Sequence, residues 1–371
     1  MGSASVRRSV ARAGVLILVA LVSSAVTVTS VFALAPRPTL VRVISSTDAS
    51  AATTTTRSRR APVAAVPSYR VVPIPVVGRD TLPAGWHPPA PRIVHSIQYG
   101  PAAWEKLDLY LPDATRFPGV RPVILFMHAG GWIAYNRVIT TPVIQRQVMR
   151  GYAVASIEYA LAPAHRFPTP LQDVKLAIRW AKTLGASYRL DARKVIVAGG
   201  SAGAHLATLA AVTPGRLEPA VIPAPLARAD DTVAAVVDMV GPTDLTAFDR
   251  ETGDPTVSSY ARHLGSELLG CANPAPPAPL QCPAGRERAA SIAPYVSNAA
   301  PPIFMAYGGT DTLVPPSIQA VPLAKLWAAH RGTNAVWLEI VPRQGHNLTV
   351  DQFNNTALDA FLDGVVRGAI R

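Results

Sequence analysis

The chain has 371 residues, 49% of them hydrophobic, so it can bury a full core. Beyond its N-terminal region roughly 280 residues remain, the size of one large α/β domain or two small ones. The formal net charge of +12 is unevenly placed: nine arginines against Asp48 up to Arg70 account for +8 of it and leave +4 for the rest. A charge that lies mostly in a targeting region and a tail argues against a nucleic-acid partner.

Arg7, Arg8 and Arg12 precede the apolar run Gly14–Val22, and no further charge occurs until Arg37. A basic segment before an apolar one is an export signal. It would be cut after Ala25 or Ala35, or kept as a membrane anchor, since Ala13–Ala35 exceeds the about 20 residues needed to cross a bilayer. Uncut, the arginines would stay cytoplasmic and send the remainder outward. Residues 1–35 are thus expected to be a signal peptide or an N-terminal anchor. Residues 36–77, rich in Ala, Thr, Pro and Arg with little periodicity, are expected to be a flexible linker. Residues 78–371 form the expected folded domain, with regular structure beginning near Arg92.

From there the elements follow in order. Ile93–Tyr99 and the alternating Lys106–Leu111 predict two strands joined at Gly100-Pro101, antiparallel and wet on one face. Pro122–Met127 is a continuous apolar run, as in a strand buried on both sides. A helix follows with Thr141 as its cap and Pro142 in its first position, ending at Gly151. Tyr152–Ile157 is the next strand. Thr169 and Gln172 have the spacing of a capping box for a helix whose apolar face runs Val174, Ile178, Ala181, Leu184. Then come a strand at Val195, a helix after Ser201 and a strand over Val233–Val240. This alternation predicts right-handed βαβ units and a mostly parallel sheet with helices on both faces.

The alternation breaks between about Thr246 and Pro301, a Pro-rich stretch that predicts a lid over the mouth of the sheet. It contains Cys271 and Cys282, whose spacing fits no zinc pattern. In an exported protein they would close a local disulfide; otherwise they are two thiols in a loop. A strand over Pro302–Tyr307, a helix around Ile318–Ala329, a strand over Ala335–Ile340 and a last helix with Phe353, Ala357, Phe361 and Val365 on one face complete the domain.

Gly199-Gly200-Ser201-Ala202-Gly203 lies between a strand and a helix, where G-x-S-x-G forms a sharp turn that exposes the serine hydroxyl. A serine needs a base to take its proton and an acid to fix that base. In an open α/β sheet such groups belong beyond the C-terminal ends of strands. Asp311 and His346 occupy those positions after the last two strands, in the order Ser, Asp, His. Asp244, also after a strand, is the reserve acid. His205, one turn beyond Ser201, is assigned to helix packing and His165 to tying down its own loop. Glu158 and Asp173 are assigned to local anchoring. His128-Ala129-Gly130-Gly131-Trp132, just after a buried strand, offers Gly130 and Gly131 as oxyanion donors, completed by the N–H of Ala202.

These residues resemble the α/β-hydrolase-fold esterases and lipases related to hormone-sensitive lipase and the bacterial feruloyl-esterase-like group. The match runs from about Arg92 to the end. His128–Trp132 stands for the family's H-G-G-G, with Ala129 in place of the first glycine. Tyr159-Ala160-Leu161-Ala162-Pro163 stands for Y-R-L-A-P, with Ala160 in place of the arginine. Gly199–Gly203, Gly309-Thr310-Asp311 and Gly345-His346 complete it. The resemblance implies Ser201 as nucleophile, Asp311 and His346 as acid and base, and Gly130, Gly131 and Ala202 as oxyanion donors. The expected protein is an exported serine carboxylesterase acting on a small-molecule or lipid ester, without metal or organic cofactor. An amidase or peptidase using the same groups, or an inert envelope or adhesion protein on the same fold, are the alternatives.

Overall fold

Three strands with long runs of buried apolar side chains occupy the middle of the sheet: β4 (Arg121–Met127), β5 (Ala153–Ile157) and β6 (Leu190–Gly200). In a computed structural model, which describes residues 40–41, 92–138, 142–248, 254–275, 278, 280–346 and 355–371, they are flanked by β7 (Ala235–Met239), β8 (Ile303–Gly308) and β9 (Val336–Val341) on one side. On the other side lie β3 (Lys106–Leu111) and β2 (Arg92–Gln98). The sheet order is β1-β9-β8-β7-β6-β4-β5-β3-β2, where β1 is only the pair Leu40–Val41. Strands β4 to β9 pair in parallel, while β2, β3 and β1 join antiparallel. The span 13–35, Thr141 and Phe353 lie outside the described residues. Among the described residues no helix is long and apolar enough to cross a membrane.

Side chains alternate across a strand, and two cores result. Val123, Leu125 and Met127 face one, with helices α2 (Thr169–Thr183), α3 (Ala202–Val212), α4 (Pro255–Leu269) and α6 (Ala320–Arg331). Ile124 and Phe126 face the other, with α1 (Pro142–Met149) and α7 (Asn355–Val366). Helix α7 packs Phe361 against Phe304 and Trp337 and is tied to α1 and the residue after it by polar bonds: Gln147 Nε2 donates to Asp359 at 3.0 Å and Arg150 to Asp363 at 2.7 Å. Ala357 and Phe361 are buried, as their spacing predicts.

Four expectations need correction. Strand β3 is buried on both faces, and the wet strand is β2; Asp108 is tolerated inside because Ser96 N–H and Arg137 satisfy it at 2.7 and 3.1 Å. The capping box does not form: Pro168 caps α2 without a side-chain bond, Thr169 is already helical, and Gln172 Nε2 donates to Glu218 O instead. Leu184 ends in a short 3-10 turn and is exposed, although Val174, Ile178 and Ala181 are buried. The segment between β7 and β8 is not irregular throughout. It contains α4, whose Asp254 cap accepts from Thr256 and Val257 N–H and whose end is Gly270 in the left-handed conformation, and α5 (Arg286–Ala290). Cys271 and Cys282 are bonded there, beside an antiparallel bridge between Ala272 and Gln281.

Candidate active site

Strand β6 feeds directly into α3, and the reversal is concentrated on one residue: Ser201 has φ 50° and ψ −117°. Such a backbone costs a non-glycine residue roughly 1–3 kcal/mol and persists only when its surroundings dictate it. They do so here. Ser201 N–H donates to Met239 O at 2.8 Å, stitching the turn to the end of β7, and Ser201 O accepts from His205 N–H at 3.0 Å. A Cβ on Gly199 would lie 2.4 Å from the Gly203 carbonyl carbon, and one on Gly203 would lie 2.2 Å from Met127 O. Gly200 is under no such constraint, since its nearest neighbour would be Ala129 Cβ at 3.8 Å.

The three polar residues meet. His346 Nε2 is 2.9 Å from Ser201 Oγ, and His346 Nδ1 is 2.9 Å from Asp311 Oδ2. The other oxygen of Asp311 accepts from Leu313 and Val314 N–H, each at 2.9 Å, so the fully buried carboxylate has little freedom to turn. The loops after β8 and β9 are joined to each other: Thr310 N–H donates to Gln344 O at 2.8 Å, and its hydroxyl donates to the same carbonyl at 2.9 Å. A Cβ on Gly308 would lie 2.2 Å from Gly345 O, so this glycine allows the two loops to close. Asp244, the reserve acid, is used otherwise: its Oδ1 accepts from Thr246 N–H and Oγ1 at 2.9 and 2.6 Å.

The Gly-rich loop after β4 turns tightly beside Ser201. Gly130 has φ +118°, Gly131 φ +59° and Trp132 φ 64°, and Gly130 O accepts from both Ile133 and Ala134 N–H at 3.1 Å. The second motif of the resemblance holds this loop at both ends. Tyr159 Oη donates to His128 O at 2.8 Å, its ring stacks on His128 with centroids 4.2 Å apart, and Ala162 N–H donates to Trp132 O at 2.9 Å. Asp173 anchors that motif as expected, accepting from Ala160 N–H at 2.7 Å and Trp104 Nε1 at 3.0 Å. Burial, with Glu105 beside it, pushes its carboxyl up to about 8. Glu158 is paired with Arg137 at 2.7 Å, and His165 lies against Trp104.

Two members of this framework were not singled out from the sequence. Trp132, 1% exposed, donates from Nε1 to His205 Nδ1 at 3.2 Å. Met127 supplies the carbonyl against which α3 starts. Burial lowers the imidazoles of both His128 and His205, the latter to about 4, so both are neutral. Among the described residues no group of three or more His, Cys, Asp or Glu is placed to hold a metal ion.

A sheet that reverses strand order once, between β4 and β5, with a serine turn after β6, an acid after β8 and a histidine after β9, has the arrangement of an α/β-hydrolase. The family model described as BD-FAE matches residues 107–326, and the chain belongs to that family. It is 34% identical over 223 residues to the esterase LipQ of Mycobacterium tuberculosis, covering 59% of this chain and 49% of LipQ. With the esterase LipC of the same organism it shares 30% over 289 residues, covering 73% of this chain and 67% of LipC. The chain thus spans about half the length of LipQ. Among solved structures, a truncated carbohydrate esterase from gut microbiota superposes with a TM-score of 0.59 at 21% identity, covering 74% of this chain and 95% of that one. A bifunctional GH43-CE protein of Bacteroides eggerthii gives 0.58 at 26%, covering 74% and 38%.

Proposed function

We propose that this chain is an exported serine carboxylesterase whose nucleophile is Ser201. The observation that carries the reading is the unbroken line from Ser201 Oγ through His346 to Asp311, with both links at 2.9 Å. His346 Nε2 takes the serine proton as Oγ attacks the ester carbonyl. The N–H groups of Gly130, Gly131 and Ala202 receive the oxyanion, which is where most of such a rate enhancement arises. His346 then returns the proton to the departing alcohol, and water repeats the sequence to free the acid. Asp311 holds Nδ1–H so that Nε2 is the free base.

The segment 246–301 acts as the lid of this site. Leu264 packs against Gly131, where a Cβ would meet it at 2.5 Å; Phe248 stands edge-on to Trp132; and Leu268 O accepts from Phe167 N–H at 2.9 Å. Export rests on the residues around Arg7–Ala35 and is supported by the Cys271–Cys282 bond, since disulfides persist in oxidising compartments. The retained span, if uncut, would associate the protein with a membrane. The esterase names of the relatives favour esters over amides.

The test uses the purified chain with p-nitrophenyl esters of increasing acyl length and with the matching anilides. Hydrolysis of the short esters, abolished in Ser201→Ala, is expected. An alanine variant with full activity removes Ser201 from the role, and a wild type inert toward every ester removes the esterase reading.

A further inference from the structure

His205 is completely buried one turn beyond Ser201, and both of its nitrogens are occupied by elements other than its own helix. Nδ1 lies 3.2 Å from Trp132 Nε1 on the Gly-rich loop, and Nε2 lies 2.7 Å from Ala290 O in α5. An indole N–H can only donate and a carbonyl can only accept. These partners therefore fix one state of the ring, neutral with its proton on Nε2. The Trp132 ring meets the imidazole edge-on with centroids 5.3 Å apart, and Phe248 also meets Trp132 edge-on at 5.8 Å. Ala290 is itself fixed: Ser291 Oγ accepts from Leu245 N–H at 2.9 Å, and Ile292 N–H donates to Thr243 O at 2.9 Å. One imidazole thus bridges the serine helix, the loop that carries Gly130 and Gly131, and the far end of the segment 246–301.

We propose that His205 is a positioning residue that holds the loop of Gly130 and Gly131 through one ring nitrogen and the far end of the 246–301 segment through the other. This rests on the reading of those glycines as oxyanion donors. Packing alone would be met by any side chain of this volume. It does not require that a donor and an acceptor be met at once by two separate segments. Trp132 follows Gly131 directly, so a shift of its indole moves the donor beside it. Donors must sit at hydrogen-bond distance, about 2.7–3.1 Å, from where the oxyanion forms, and losing one such donor costs about 10²–10³ in kcat.

The two bonds can be cut separately. The amide of Gln reaches as far as Nε2 and that of Asn as far as Nδ1, so His205→Gln keeps the Ala290 bond and His205→Asn keeps the Trp132 bond. Hydrogen exchange of the intact chain is read first, because it does not depend on turnover. His205→Gln is expected to speed exchange over residues 130–134 and leave 286–290 protected, and His205→Asn to do the reverse. In kinetics, His205→Gln should lower kcat about 10–100-fold with KM changed less than about threefold, as for an interaction used in the transition state. His205→Asn should recover much of that loss. Trp132→Phe, which removes the indole N–H together with part of the buried ring, should show at least the loss of His205→Gln, and adding His205→Gln to it should lower kcat little further. Equal loosening of both segments by both variants, or wild-type kcat in His205→Gln and Trp132→Phe, overturns the proposal. A wild type that neither turns over esters nor is labelled at Ser201 by an organophosphate removes the esterase reading instead, and exchange still decides the bridge.

Discussion

Gly203 and Met127 fix where the serine helix begins: the helix starts so close to the end of β4 that a Cβ on Gly203 would stand 2.2 Å from the Met127 carbonyl oxygen and 2.5 Å from that of His128. Both neighbours are backbone, so neither can swing aside. Gly203→Ala should therefore cost about 3 kcal/mol or more and displace Ser201 from His346. Urea unfolding and ester turnover check both effects. Gly200→Ala, with 3.8 Å to its nearest neighbour, is the control that should stay near wild-type stability.

Asp311→Asn separates charge from geometry. Its oxygen can still accept from Leu313 and Val314 N–H, which turns the amide nitrogen toward His346. The imidazole must then offer Nδ1 as an acceptor and carry its proton on Nε2, where it cannot take the serine proton. A fall of about 10³–10⁴ in kcat is expected with nearly unchanged unfolding free energy. A loss below tenfold would transfer the acid's role elsewhere.

Asp238 carries a pH dependence of stability. It is fully buried on β7, where burial raises its carboxyl to about 6. Its neighbours Tyr307 and Thr208 have carbonyl acceptors of their own, Gly241 O at 2.6 Å and Ala204 O at 2.8 Å, leaving hydroxyl lone pairs to face a carboxyl proton. The folded chain therefore keeps a proton that the unfolded chain releases near pH 4. Between about pH 4 and 6 the folded state binds more protons, so stability from this group falls as pH rises. Relative to Asp238→Asn, the wild type should lose about 3 kcal/mol across that window, measured by denaturant unfolding at several pH values.

The buried pair Lys175–Asp231 is a structural counterpart. Its atoms are 2.6 Å apart, the ammonium is wholly inaccessible, and it also donates to Thr213 O at 2.6 Å. Burial lowers Lys175 even so. Asp231→Ala leaves a cation inside without its counter-charge and should cost about 3–5 kcal/mol. Adding Lys175→Met should return part of that, read as a rise in the urea midpoint over the single variant.

The central sheet was legible because β4, β5 and β6 are apolar runs with no competing period, and strand ends then located Ser201, Asp311 and His346. What escaped depends on partners distant in sequence. Asp108 reads as the wet side of an alternating strand, yet Arg137 and Ser96 reach it from elsewhere. Thr169 and Gln172 have the right spacing for a cap, but Pro168 already occupies the cap position. Helix α4 did carry its signals, Asp254-Pro255 at the start and Gly270 at the end, and the Pro-rich tract after it outweighed them. His205 was placed on a packed helix, correctly, while its two bonds required Trp132 and Ala290 to be known as neighbours.

The bridge through His205 also sets a rule for exchanging parts of this protein. On the proposed esterase reading, swapping the stretch between β7 and β8 for that of a relative would be the natural way to alter which esters are accepted, because none of Ser201, Asp311 and His346 lies within it. A graft chosen for the shape of its entrance alone would leave the imidazole proton with nowhere to go. A transplanted stretch must therefore bring a carbonyl to the place where Ala290 presents one, or arrive with a different residue at position 205.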